Sequence, residues 1–409
     1  MIEYLIAILA GSFFGIFIGL LPGMSINNLL PLFLTFTFFK PEILAAFIAS
    51  VSVSQLLAGF FPSIFLGAPS SETSISVLPG HKLLLEGKGY EALKLCLMGA
   101  LFSIIFSMIL VVTLSSFFKD FYYATRPYVF YLIFLVSIFM ILSEKEVKKI
   151  LYSLLIFFLT GLIGLITLNS PLSSSNLLFP MLSGFFGLST LIISLKEKSC
   201  LPKQKIEEKV NISKANFIKS SALGSIFGLI VGFLPAVGVS QAAIIAQTLA
   251  GLNDARNFLV TIGAINMANE IFSINSLYLV NNPRSGTSVA LQRVLQNLGF
   301  FNFVSILASI LISSSISIAF ILYFAKKFYT ILLKVNYFML NIAVIVFLSS
   351  LVTIFSGLIG LLIFFTCGSI GILAAELKVK RSHCMGCLLI PSMIFFYGAT
   401  NLVLTFLFG

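Results

Sequence analysis

Charge is scarce in this chain: 10% of its 409 residues are Asp, Glu, Lys or Arg, whereas 59% are hydrophobic. A soluble globular domain is nearer a quarter charged, so composition excludes that class. Long polar intervals are missing as well. The longest is 196–219, which leaves no room for a soluble domain between the apolar runs. The five cysteines (Cys96, Cys200, Cys367, Cys384 and Cys387) give no disulfide framework. The two histidines, His81 and His383, stand beside no nucleophile motif, so a catalytic triad has no support. His383 with Cys384 and Cys387 has a metal-like spacing, but a second ligand pair is lacking and the thiols read as a helix start. A Gly-x-x-x-x-Gly-Lys loop is absent, and with it a nucleotide site of the chain's own. Met1-Ile2-Glu3 lacks the basic start of a cleaved signal peptide, so the first apolar run is expected to be retained.

What remains is a succession of apolar stretches of about 20 residues, the length that crosses a bilayer core of roughly 30 Å. Leu95 to Phe118, Ile150 to Leu168, Leu177 to Leu195 and Tyr337 to Phe355 are examples. The expected fold class is an all-α polytopic integral membrane protein. Its net charge of +11 is read as a loop bias and not as affinity for nucleic acid.

The chain repeats itself. Ser12, Phe14, Gly15, Gly19, Leu21 and Pro22 recur in order as Ser225, Phe227, Gly228, Gly232, Leu234 and Pro235. Further on, Pro69-Ser70-Ser71-Glu72-Thr73-Ser74 reads against Pro283-Arg284-Ser285-Gly286-Thr287-Ser288 at nearly the same interval. Apolar composition explains matching Phe and Leu, but not Gly, Gly and Pro at fixed spacing. The division that follows is a first membrane repeat at 1–195, a basic linker at 196–219 and a second repeat at 220–409. Proline removes a backbone donor and clashes with the preceding turn, so each motif breaks a helix. Paired breaks in corresponding places of two halves point to a transporter site built from discontinuous helices.

Treating Leu5 to Phe39 and Ser221 to Leu249 as hairpins that return to their starting face puts 20 of the 25 Lys and Arg on one side. That side is expected to be cytoplasmic, which makes the repeats inverted and both termini external in a cell-membrane protein.

The binding residues expected for an anionic substrate follow from the breaks, because half-helix N-termini present unpaired amides. The first breaks contribute Pro22, Gly23, Ser25, Asn27, Asn28, Pro235, Ala236, Gly238, Ser240 and Gln241. The second contribute Pro69, Ser70, Ser71, Thr73, Pro283, Arg284, Ser285, Gly286 and Thr287. For any one of the hydroxyls, capping its own helix is the competing use. Asn266, Asn269, Glu270 and Ser273 share one face of a helix spanning Phe258 to Val280 and are assigned to a coupling Na⁺ or proton, with no other cofactor. Arg284 is set either against Glu270 or against a substrate carboxylate or phosphate.

Gly19-Leu-Leu-Pro22-Gly23-Met-Ser25 and Gly232-Phe-Leu-Pro235-Ala236-Val-Gly238 resemble the signature of the large permease subunit of tripartite tricarboxylate transporters. Gly67-Ala-Pro69-Ser-Ser-Glu-Thr73, Pro79-Gly80, Gly87-Lys-Gly89 and Glu91-Ala92-Leu93 resemble that family's next block, in its shorter archaeal-type branch. Ser25 stands where glycine is usual, Ala236 stands for the counterpart of Gly23, and Asn282-Pro283-Arg284-Ser285-Gly286 replaces a Gly-x-Pro-Gly turn. The resemblance implies import of a small carboxylate on an ion gradient, with a small membrane subunit and an external binding protein as partners. Membrane lipids and a second copy of the chain complete the expected partners. Two alternatives stay open: a polyprenyl or lipid-phosphate translocase, and an intramembrane lipid-modifying enzyme.

Overall fold

The computed structural model describes residues 2–21, 40–67, 73, 76–144, 146–170, 174–196, 210–233, 238, 239, 242, 243, 245, 246, 254–332 and 337–399. Their regular structure is helical throughout. Eight of the described helices are long and apolar enough to cross a membrane. The chain is a multi-pass membrane protein.

The first two helices, α1 (Ile2–Leu20) and α2 (Pro41–Phe65), lie along one another through a glycine seam. A Cβ added at Gly11 would stand 2.7 Å from the Phe47 carbonyl oxygen, and Gly15 and Gly19 meet Val51 and Gln55 in the same way. Both sets of numbers rise together, so the two helices are parallel. Proline at the start of α2 costs nothing there, because the first amide of a helix has no partner within it.

The arrangement returns in α9 (Lys214–Phe233) and α10 (Ala255–Val280). Here a Cβ on Gly224 would lie 2.7 Å from the Thr261 carbonyl oxygen, while Gly228 meets Ile265 and Gly232 meets Phe272. The glycines that repeat in the sequence therefore perform the same close approach in both halves. Without a hydrophobic drive between helices in lipid, such small-residue contact is what holds them together. Gly224→Val is expected to lower stability by about 1–3 kcal/mol through overpacking against backbone that cannot yield. The melting temperature in detergent, compared with that of Gly299→Val, measures it, since Gly299 has no neighbour within 4 Å of a built Cβ.

Long helices from each half then cross into the other. Helix α4 (Gly89–Thr125) packs on α10, with Gly99 against Val260 and Gly263 against Cys96, and Ser103 Oγ donates to the Ala264 carbonyl at 2.8 Å. Helix α12 (Phe300–Leu332) packs on α2, and Ser317 Oγ donates to Ser54 Oγ at 2.8 Å. With the short helices α3 (Val77–Leu85) and α11 (Gly286–Leu295), these make one core bundle from both halves.

A second bundle flanks it. Helix α4 runs through the turn Arg126–Tyr128 into α5 (Val129–Leu142), followed by α6 (Val147–Leu168). Next come α7 (Ser174–Leu182), a π-helical stretch Ser183–Leu188 and α8 (Ser189–Lys196). These pack against α13 (Tyr337–Glu376), the turn Arg381–Met385 and α14 (Gly386–Tyr397). His383 Nε2 lies 3.1 Å from Glu144 Oε1, which also accepts the Lys380 amide at 3.0 Å. Burial holds the His383 imidazole below its ordinary pKa against the pull of Glu144. Burial would raise Glu144, yet the Lys380 amide, His383 and the Lys380 charge together hold it lower. A neutral imidazole donating to an ionised carboxylate therefore closes this end of the bundle. The two bundles touch where α3 meets the π-helical stretch and where His81 Nε2 meets Ser194 Oγ at 3.2 Å.

Candidate functional site

The site is built around α10. Its 26 residues extend about 39 Å, enough to cross a membrane, yet it carries Asn266, Asn269, Glu270, Ser273, Asn275 and Ser276. A polar helix can hold that depth only if protein surrounds it, and 20 of the 26 residues of α10 are buried and the rest half-buried. Asn281 ends the helix in the left-handed conformation (φ 49°), which asparagine tolerates. Ser285 is extended (φ −107°, ψ 161°), and α11 begins at Gly286. The expected break after α10 is present, and it spans residues 281–285.

Ser285 caps α11: its Oγ accepts the Ser288 amide at 3.2 Å, and Ser288 Oγ accepts the Ser285 amide at 2.9 Å. Ser288 Oγ also accepts the Arg284 amide at 2.8 Å. The competing use of these hydroxyls, capping their own helix, is therefore the one they serve. Thr287, one position from Ser288, turns differently. Because α11 packs on α2, Thr287 Oγ1 comes within 2.6 Å of Ser52 Oγ, and Ser52 Oγ donates to Glu270 Oε1 at 2.6 Å. All three side chains are buried, Ser52 and Thr287 completely. A carboxylate removed from water costs several kcal/mol unless hydrogen bonds replace its hydration, and short charge-assisted bonds are the strong ones. The Glu270 carboxylate thus joins α10, α11 and the opposite half's α2.

The other coupling residues behave more locally. Asn266 Nδ2 donates to the Ile262 carbonyl at 3.2 Å, and Ser273 Oγ lies 3.5 Å from Asn269 Oδ1. Asn266, Glu270 and Ser273 are buried, and Asn269 is half-buried. Pro283, Arg284, Ser285 and Gly286 are half-buried, forming the turn beside this face. In the first half, the Thr73 carbonyl accepts Ser63 Oγ at 3.0 Å and Ser76 Oγ at 2.7 Å, tying that loop to α2. Gly238 accepts the Ala242 amide at 3.1 Å, the start of a helical turn. Pro22, Gly23, Ser25, Asn27, Asn28, Pro69, Ser70, Ser71, Pro235, Ala236, Ser240 and Gln241 lie outside the described residues.

Sequence reading overlooked Ser52. The signal was present, since Ser50, Ser52, Ser54 and Gln55 interrupt an otherwise apolar span, and Ser52 is the repeat counterpart of Asn266. It also overlooked Glu91 and Arg256. Arg256 Nε donates to Glu91 Oε1 at 2.9 Å and Nη2 to Oε2 at 3.3 Å, while the Asn211 amide donates to Oε1 at 2.8 Å. That pair stands where α4 and α10 begin and sets the floor of the core bundle.

A model of the tripartite tricarboxylate transporter TctA family matches residues 5–386. An uncharacterized protein of Methanocaldococcus jannaschii is 30% identical over 401 residues, covering 96% of this chain and 98% of that protein. No solved structure matches.

Proposed function

The chain belongs to the tripartite tricarboxylate transporter TctA family, and from that premise we propose that it is a secondary active permease for a small organic anion, a di- or tricarboxylate, driven by Na⁺ or H⁺. The family is one of transporter components and not of enzymes. The observation that carries the ion-coupled reading is the Glu270 carboxylate, 3% exposed within the core bundle and bonded across the two halves to Ser52. An intramembrane carboxylate is costly and, by default, functional.

The alternating-access part of the proposal rests on inverted repeats at 1–195 and 220–409. Several contacts support it. Glu3 pairs with Lys40 at 3.5 Å, and Tyr4 bonds Ser305, so α1, α2 and α12 start at one end. Glu91 meets Arg256 and the Asn211 amide, and Lys326 lies 5.8 Å from the Tyr90 ring centroid, so α4, α9 and α10 start where α12 finishes. Helices α1 and α9 accordingly begin at opposite ends. The end holding Lys326 is that of the basic loops, which makes it cytoplasmic in the plasma membrane and the termini external. In this reading the breaks form re-entrant hairpins converging on the anion, and the core bundle rocks or slides against the flanking one. A small membrane subunit and an external binding protein are the partners proposed from the family.

Proteoliposomes given external radiolabelled citrate or succinate under an imposed inward Na⁺ or H⁺ gradient test the reading. Accumulation of one of the two above the gradient-free level is expected. Thermal stabilisation by polyprenyl phosphate alone, with no uptake of either carboxylate, overturns it in favour of a lipid-phosphate translocase.

A further inference from the structure

The hydroxyls between Glu270 and the α11 turn have a direction. An ionised carboxylate only accepts, and a serine hydroxyl has one hydrogen and two lone pairs. With Ser52 Oγ donating to Glu270 Oε1 at 2.6 Å, its single hydrogen is committed. The 2.6 Å contact between Ser52 and Thr287 must then be made by the Thr287 hydrogen. The order is Thr287 to Ser52 to Glu270, every hydrogen pointing at the carboxylate. Ser52 belongs to α2 and the other two to α10 and α11, so the chain passes from the second half to the first and back.

We propose that Ser52 is a positioning residue that transmits the charge state of Glu270 to the 283–287 turn, so that a cation bound at Glu270 releases the Thr287 hydroxyl to donate to the anionic substrate. The inference rests on Glu270 as the cation site of the transporter reading. When a proton or Na⁺ neutralises the carboxylate, Ser52 is no longer drawn to it and its hydrogen turns to Thr287 Oγ1. The Thr287 hydrogen is then free. Thr287 is the second residue of α11, directly after the half-buried turn Pro283–Arg284–Ser285 that lines the break. With a proton on Glu270 both hydrogen bonds reverse, the carboxyl donating to Ser52 and Ser52 to Thr287, whereas Na⁺ replaces Ser52 at the carboxylate and only the Ser52–Thr287 bond reverses. Ser285 and Ser288 stand outside this network, since Ser288 Oγ donates to the Ser285 carbonyl at 2.8 Å and Ser285 Oγ to Ser288 Oγ at 3.4 Å. Thr287 is the hydroxyl of the turn that the network can switch. A device of this kind makes cation and anion binding interdependent, which is what separates coupled uptake from exchange.

Two measurements test it on the full chain. The first compares gradient-driven accumulation of citrate with citrate exchange at zero gradient, in wild type, Ser52→Ala, Ser52→Thr and Glu270→Gln. The ratio of accumulation to exchange is expected to fall about tenfold in Ser52→Ala, within the usual range of coupling effects. It should return in Ser52→Thr, which keeps the hydroxyl. A structural role alone would lower both processes together and leave the ratio where it was, which overturns the proposal. If Glu270→Gln leaves the ratio intact, the coupling assignment of Glu270 itself falls. If Glu270→Gln abolishes it and Ser52→Ala does not, the relay alone is wrong. The second measurement needs no substrate. The infrared bands of Glu270 are isolated as the difference between wild type and Glu270→Gln. Thr287→Val, which removes a hydroxyl bonded to Ser52, is expected to shift those bands through Ser52 and to do nothing in a Ser52→Ala background. Bands unmoved by Thr287→Val sink the relay even if citrate is not transported.

Discussion

Glu270→Gln is expected to abolish accumulation against a gradient while leaving the protein folded. Glutamine keeps the size of the side chain and an amide that can hydrogen-bond Ser52 Oγ as donor or acceptor, so the contact between the halves survives. What disappears is the charge that a Na⁺ or proton must neutralise. Site–site coupling is typically worth 1–3 kcal/mol, so ion-dependent accumulation should fall about 5- to 150-fold. The melting temperature should stay close to that of wild type. Uptake that keeps its ion dependence in this variant removes Glu270 from the coupling site.

Arg256→Ala is expected to produce the largest loss of stability. Arg256 and Glu91 side chains are 13% and 9% exposed, and the guanidinium grips both carboxylate oxygens. Removing one partner from a buried pair leaves an uncompensated charge, which costs about 3–5 kcal/mol. The Asn211 amide alone would remain on the carboxylate. Pairing Arg256→Ala with Glu91→Gln should recover most of the loss, because a neutral amide carries no such penalty. Thermal unfolding of the two single variants and the double variant decides it. A double variant as unstable as Arg256→Ala shows that packing, and not the stranded charge, sets the cost.

The parts of this molecule that depend on local backbone chemistry were legible in the sequence. Pro283 in an otherwise helical stretch announces the break at 281–285, and the shared spacing of Gly15, Gly19 and Gly228, Gly232 announces a repeated element, which the structure shows as two helix seams that also take in Gly11 and Gly224. The polar face with Glu270 followed from helical periodicity. Hydropathy, in contrast, underrates α10, because a helix enclosed by protein has no need to be apolar on every side. The choice of partner for Glu270 was not legible either. Ser50, Ser52 and Ser54 are alike in sequence, and only the crossing of α2 with α10 and α11 decides that Ser52 reaches the carboxylate while Ser54 reaches Ser317. The seating of α13 on the π-helical stretch Ser183–Leu188 is likewise tertiary, with Gly184 and Gly371 allowing the close approach. Ser285 carried two readings in the sequence, ligand or cap, and its hydroxyl accepts the nearest orphan amide, that of Ser288.

The crossing of α4 onto α10 and of α12 onto α2 has a consequence for how the protein is made. When the ribosome has released only the residues before the basic linker, α2 has α1 beside it but lacks α12 and α11, and α4 has no α10 to cover Gly99. Neither half is a finished object. The membrane insertion machinery must therefore hold a partly assembled sheaf of helices until the last third of the chain arrives, and quality control during synthesis will see exposed serines and glycines up to that moment.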